Sequence, residues 1–444
     1  MAVPSPSPPV ADPAATASAY QRGLAVLTLI NLVNYLDRFV VSSLVESLRK
    51  AFDATDFELS LLGPGFIIVY MVASPVFGAL GDKGSRTRLI ALGVALWSAA
   101  TVAAGFVHTF ALLFVARALV GVGEAAYGTI SPSLLADYFP RALRGRVFSI
   151  FYAAIPIGSA LGYILGGFVD ANLGWRAAFF VAGGPGLLLA FWCLRLADPP
   201  RGAQDLEEPG LERPASAPTE GHAPIAKAAE GKTLLQTYAG LLKNGAYTLT
   251  VLGYAAYTFA LGALAFWMPA FLERARGVEH QAASVQFGAI VVVTGFVGTF
   301  AGGWIGDALL KRTKQAYLWL SGVATLAAFP LAIVALEASS PSVYLPAVVV
   351  AEVLMFASTG PINSAIVNLV SPTERATAVA FHIFAIHILG DVPSPVIVGK
   401  LSDLGGSTGA SLGSAMLIIP FAILVSGIIW CAAAWQAGRQ QARP

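Results

Sequence analysis

Charge is what this chain has least of. Lys, Arg, Asp and Glu together make 12% of its 444 residues, about half the share usual in soluble domains. The 27 basic and 25 acidic side chains nearly cancel, to a formal +2. No basic surface is therefore on offer to nucleic acid. Cysteine is almost missing: Cys193 and Cys431, each near the end of an apolar run, cannot make a disulfide framework. The five histidines are scattered and give no metal-ligand spacing. No Ser/His/Asp set has a common location. Residues 226–233 satisfy a loose phosphate-loop pattern, but an alanine stands at its first position and no strand precedes it. Nothing here supports an ATP-driven pump or a membrane enzyme, and no cofactor is expected.

What fills the space left by charge is apolar sequence, at 56% of the chain. Runs of spanning length fall at 22–45, 59–80, 89–108, 110–138, 146–169 and 176–196, and again at 246–272, 283–310, 315–337, 342–370, 376–402 and 411–436. Each is near or above the ~20 residues that an α-helix needs to cross a hydrocarbon core. The expected fold is an all-α membrane protein of twelve helices in two six-helix bundles, residues 20–196 and 244–437. Residues 1–19 and 438–444 are expected as cytoplasmic tails, the first disordered, and the Pro-rich stretch 197–243 as a tether between bundles.

Alternate loops carry the basic residues: Lys83, Arg86 and Arg88; Arg141, Arg144 and Arg146; Lys311, Arg312 and Lys314. The other loops are richer in acid, as in Glu46, Asp53, Asp56 and Glu58. Excess Lys and Arg marks cytoplasmic loops, so both termini are expected in the cytoplasm and the chain in the inner (plasma) membrane. Arg49, Lys50, Arg274 and Arg276 fall on the wrong side for this rule and weaken the asymmetry.

The two halves echo each other. Gly81-Asp82-Lys83-Gly84-Ser85-Arg86-Thr87-Arg88 follows the second run and Gly306-Asp307 the eighth, while Trp192-Cys193 and Trp430-Cys431 close the sixth and twelfth. Repeated bundles place a pore or site between them near the midplane. These loops, with Arg117-x-x-x-Gly121-x-Gly123 in the fourth run, resemble the signature of the major facilitator superfamily. Asn34 through Arg38, Gly81 through Arg86, Arg117 through Tyr127, Ile155 through Ser159 and His387 through Pro395 are closer still to its spinster-like branch, whose members export lysolipids and sphingolipid phosphates. The resemblance implies alternating access by a monomer, with the first, fourth, seventh and tenth helices lining a cavity. It also implies a lysolipid or sphingolipid-like substrate, protons and the surrounding membrane lipids as partners.

An ionisable group inside a bilayer costs at least ~2.5–3.5 kcal/mol, so each one needs a reason. Asp37 and Arg38 in the first run, with Arg117 and Glu124 in the fourth, are expected to converge on one polar cluster. Asp37 and Glu124 are the candidates for proton coupling. Arg38 and Arg117 are the candidates for an anionic substrate, together with Tyr127, Tyr254, Tyr257, Trp267 and Asn363 as further contacts. A static ion-pair network, or aromatics that merely pack against lipid, would use the same residues. Gly81, Asp82, Arg86 and Arg88 read as a gate that bridges to the other bundle, with Asp307 as a weaker copy. Small residues at Gly158, Gly162 and Gly166 invite close helix approach. The eleventh run reads as a broken helix in which His387 and Asp391, one turn apart, are secondary candidates for gating, packing or proton carriage. A proton-driven carrier of small drugs or organic anions is the alternative within transport, and a lipid scramblase or sensor is the alternative outside it.

Overall fold

The computed structural model describes residues 13–204, 234–370 and 375–441. The phosphate-loop-like stretch 226–233 and the side chains of Asp82, Arg141, Arg144 and Arg146 lie outside the described residues. Twelve described helices are long and apolar enough to span a membrane. In the first half these are α1 (Ala17–Ser43), α2 (Asp56–Gly81), α3 (Arg86–Ala104), α4 (Phe110–Tyr138), α5 (Ile150–Leu173) and α6 (Trp175–Cys193). In the second they are α7 (Gly245–Arg274), α8 (His280–Leu310), α9 (Ala316–Glu337), α10 (Pro341–Ile366), α11 (Ala378–Leu404) and α12 (Gly409–Gln440).

The boundaries differ from expectation in three places. Helix already begins at Pro13, inside the segment read as a disordered tail. Residues Leu234–Lys243, inside the segment read as a tether, form a helix whose Leu241 is buried against the second bundle. The eleventh helix is not broken at His387 but widened: His387–Asp391 make a π-helical turn before Pro393 restarts the α-helix. Such single turns are frequent at functional positions.

Small residues set the packing, as their spacing predicted. Gly158, Gly162 and Gly166 form one stripe of α5 laid against α1. A Cβ on Gly158 would sit 2.5 Å from the Leu32 carbonyl oxygen, and one on Gly162 2.6 Å from that of Leu36. The opposite side of α5 meets α8, where Gly167 abuts Ser284 and Gly288 lies against Ala160 and Tyr163.

The bonds that join the two halves cluster at one end of the molecule, the end away from the described termini. Arg274 closes α7 by donating to Asp56 Oδ2 at 2.6 Å and to Glu46 Oε1 at 2.8 Å, both in the first half. Asp403 of α11 accepts the main-chain N–H groups of Asp56 and Phe57 at 3.0 and 2.8 Å. Ser402 donates to Asp56 at 2.6 Å. His280 lies between Glu273, 2.6 Å away, and Asp170 of the other half, 2.8 Å away. Deeper in, Tyr163 donates to the Ala265 carbonyl at 2.6 Å. The same end of the molecule accounts for three of the four basic residues that disobeyed the charge rule, Lys50 being exposed there. Arg274 and Arg49 are neutralised by buried Glu46, and Arg276 donates to the Leu336 carbonyl under the rings of Phe271 and Tyr344.

Candidate functional site

Asp37 and Arg38 are neighbours in sequence, and a helix turns about 100° per residue. They therefore face different partners. Arg38 Nε donates to Glu124 Oε2 at 2.6 Å. Its guanidinium is ringed by Tyr35, Phe66 and Tyr70, with centroids 5.0, 4.9 and 5.3 Å away. Aromatic faces stabilise a cation without neutralising it, so the ring cage holds Arg38 in place while leaving Glu124 as its counter-charge. The Arg38 side chain keeps 26% of its surface exposed, whereas Glu124 has none. Glu124 Oε1 has no hydrogen-bond partner among the described residues.

Asp37 turns the other way. Its Oδ1 accepts from Arg117 at 3.0 Å and its Oδ2 accepts from Thr101 of α3 at 2.8 Å. Arg117 also reaches the Asp37 carbonyl. Both side chains are enclosed. The expected single cluster is thus two ion pairs at adjacent depths, one sealed and one partly open. The seven-residue offset between Arg117 and Glu124, about 10 Å along the helix, keeps them apart.

The other candidates are distributed as follows. Tyr254 stacks on His382, with centroids 5.7 Å apart, and its hydroxyl accepts from exposed Asn363 at 3.2 Å. Tyr127, Tyr257 and Trp267 are buried, and donate to the carbonyls of Leu27, Met355 and Pro395 within their own halves. The structure does not bring these three to the Arg38 pair. His387 Nδ1 lies 3.0 Å from Asp391, and both are partly exposed.

At the gate loop, Arg86 is wholly buried inside the first half. It pairs with Asp137 of α4, with Asp198 at 2.9 Å, and donates to the Pro199 carbonyl. Arg201 donates to the carbonyls of Gly81 and Gly84. The start of the linker is therefore clasped onto the loop. Arg88 is exposed, and Asp307 accepts from Tyr317 at 2.7 Å within the second half.

Sequence reading passed over Glu352, a lone carboxyl in α10, buried and 2.7 Å from the Thr294 hydroxyl. The cost argument that singled out Glu124 applies to it equally. It also passed over Phe66 and Tyr70, which stand one turn apart on α2 and complete the cage.

With this geometry in hand, known proteins give a consistent picture. The family model described as Major Facilitator Superfamily matches residues 27–390. The chain belongs to that superfamily. Within it, Protein spinster homolog 3 of Danio rerio is 37% identical over 421 residues, covering 89% of this chain and 80% of the relative. The sphingosine-1-phosphate transporter SPNS2 of Xenopus tropicalis is 33% identical over 434 residues, covering 92% and 80%. These relatives put the chain in the spinster branch. A crystal structure of a bacterial homolog to the human lysosomal transporter Spinster, inward-facing and unoccupied, superposes with a TM-score of 0.77 at 25% identity, covering 96% of this chain and 97% of that one. The protein is a multi-pass membrane transporter of this superfamily rather than an enzyme.

Proposed function

We propose that this transporter moves an amphipathic anionic lipid, a lysophospholipid or a sphingoid phosphate, together with a proton, by alternating access. The observation that carries the proposal is the Arg38–Glu124 pair, a fixed cation whose one carboxylate partner among the described residues is buried and half satisfied. Arginine keeps its charge at any working pH and holds phosphate with two hydrogen bonds. A phosphate beside Arg38 meets the like charge of the Glu124 carboxylate, which already holds the Arg38 Nε, and that repulsion is relieved most cheaply when Glu124 accepts a proton. Anion and proton then enter the site together. The transporter name borne by relatives of the chain supports the substrate class.

The Asp37–Arg117 pair supports this site from behind. It cancels its own charge and leaves Glu124 as the group that titrates during the cycle. Tyr254 and Asn363 furnish a polar contact on the second half, while Tyr257 and Trp267 brace that wall. Both termini are cytoplasmic in this reading, since the misplaced arginines have structural partners and the remaining basic loops obey the charge rule. The sealed end is then the outer one, and the lipid reaches Arg38 from the cytoplasmic side. In the opposite state that side is closed by the loop 81–88 through Asp82 and the exposed Arg88, with its copy at Asp307, while Arg86 braces the loop from inside the first half through Asp137 and Asp198.

Titration of a phosphorylated lysolipid into the purified protein tests the proposal. Binding should weaken several-fold in Arg38→Lys and be nearly lost in Arg38→Ala, while a neutral amphiphile of equal chain length is little affected. Unchanged binding by Arg38→Ala would transfer the case to a carrier of small organic anions.

A further inference from the structure

Two arginines face a common crevice where α1 begins and α6 ends. Arg22, near the start of α1, makes one long bond to the Ser18 carbonyl at 3.4 Å. Arg195, just beyond α6, lies over the Phe191 ring at 4.2 Å. Neither meets a carboxylate among the described residues. Between them is a crevice of about 170 Å³ lined by Arg22, Val26, Trp192, Arg195, Leu196 and Ala197. Trp192 is half exposed there and Val26 supplies part of an apolar wall.

We infer that this crevice holds the headgroup of an anionic two-chain phospholipid of the surrounding bilayer. The depth fits, because α1 begins and α6 ends here, where spanning helices meet the headgroup layer. The chemistry fits as well. Two guanidinium forks with unspent donors flank a space of phosphate-and-glycerol size, and a phosphate ester can accept from both. Trp192 and Val26 offer the apolar edge along which the first acyl carbons run. Basic pockets between helices at a membrane face are a recurrent means of retaining anionic lipids. The position also has a consequence for the gate loop. The Ala197 carbonyl accepts from Tyr138 at 2.6 Å, and the next two residues, Asp198 and Pro199, hold Arg86. A lipid held at Arg195 and Ala197 would steady the root of that clasp.

The inference is independent of the Arg38 site and is tested apart from it. The full chain, purified in detergent, is mixed with phosphatidylglycerol or with phosphatidylcholine of the same acyl chains. Retained lipid is counted by native mass spectrometry, and thermal melting is followed in parallel, with inorganic phosphate as a third arm. The parent should retain phosphatidylglycerol several-fold over phosphatidylcholine and melt higher with it. The double variant Arg22→Gln/Arg195→Gln should lose that preference, with Arg195→Gln alone intermediate, and all three should bind a phosphorylated lysolipid alike. A preference that survives the double variant would overturn the inference, and so would a parent without preference. Equal stabilisation by inorganic phosphate would overturn the lipid assignment.

Discussion

The two aspartate and glutamate partners of α1 and α4 differ in what surrounds them, and that difference predicts different phenotypes. Asp37 is enclosed with Arg117 and Thr101, so Asp37→Asn leaves a guanidinium buried without a counter-charge. Breaking a buried pair on one side costs about 3–5 kcal/mol. Glu124→Gln leaves Arg38 among three rings with part of its surface still open. Melting curves should therefore show Asp37→Asn as the less stable protein by a wide margin, with Glu124→Gln close to the parent. Equal melting temperatures would mean that the two pairs are equally open. Which residues would be charged and near membrane depth was legible in the sequence, because the cost of burying charge picks them out. Which pairs with which was not. Adjacent positions on a helix point to different neighbours, and the choice of neighbour is made by packing across 80 or more residues of chain.

At the scale of helices, periodic small residues carried more information than charge. The stripe Gly158, Gly162 and Gly166 lets α5 lie against the main chain of α1. Gly162→Ala would push a methyl to 2.6 Å from the Leu36 carbonyl oxygen, with backbone as the obstacle on that side. Overpacking of this kind costs about 1–3 kcal/mol. Melting curves should show Gly162→Ala destabilised by that order, and Gly184→Ala, whose Cβ would meet nothing within 4 Å, unchanged. Equal effects would refute the close-approach account. The twelve spans were read to within a few residues from apolar length alone, since a bilayer imposes that length on any helix. The π-helical turn in α11 was not. Its Gly-Asp-Val-Pro sequence signals a helix in trouble but not whether the helix breaks or winds wider. In the wider turn Asp391 packs directly against Gly262 of α7, a contact between residues more than a hundred positions apart that no local pattern announces.

At the scale of the whole molecule, most of the polar bonds between the two halves gather at a single end. Arg274 anchors two carboxylates of the first half, Glu46 and Asp56, which are 3% and 0% exposed. Among the described residues, Arg274→Gln leaves Asp56 with the Ser402 hydroxyl alone and Glu46 with Arg49 alone, and losing one partner of a buried pair penalises the sealed arrangement by about 3–5 kcal/mol. A shift of 1.4 kcal/mol is tenfold in population, so forms open at that end should become prominent. Spin labels on Asn172 and Ser339, both exposed at that end, should show added long distances in Arg274→Gln. An unchanged distribution would mean that the network is ornamental to the conformational balance. This lock has no local sequence signal: Asp403 accepts from main-chain N–H groups more than 340 residues away.

The proposed coupling of proton to anion rests on Arg38 and Glu124, and its sign follows from their pairing in the proposed exchange. If Glu124 must take a proton before phosphate can take Arg38, the loaded site holds one proton more than the empty one. Affinity for a phosphorylated lysolipid should then rise as pH falls, by up to about tenfold per unit for one linked proton. Glu124→Gln, which frees Arg38 permanently, should bind the lipid at every pH with the slope abolished. The most direct measurement is proton uptake on binding, followed with a pH-sensitive dye in weakly buffered solution as a phosphorylated lysolipid is added to the purified protein. The account predicts that the parent takes up close to one proton per lipid bound and that Glu124→Gln takes up none while still binding. Proton release by the parent, or undiminished uptake by Glu124→Gln, would contradict it.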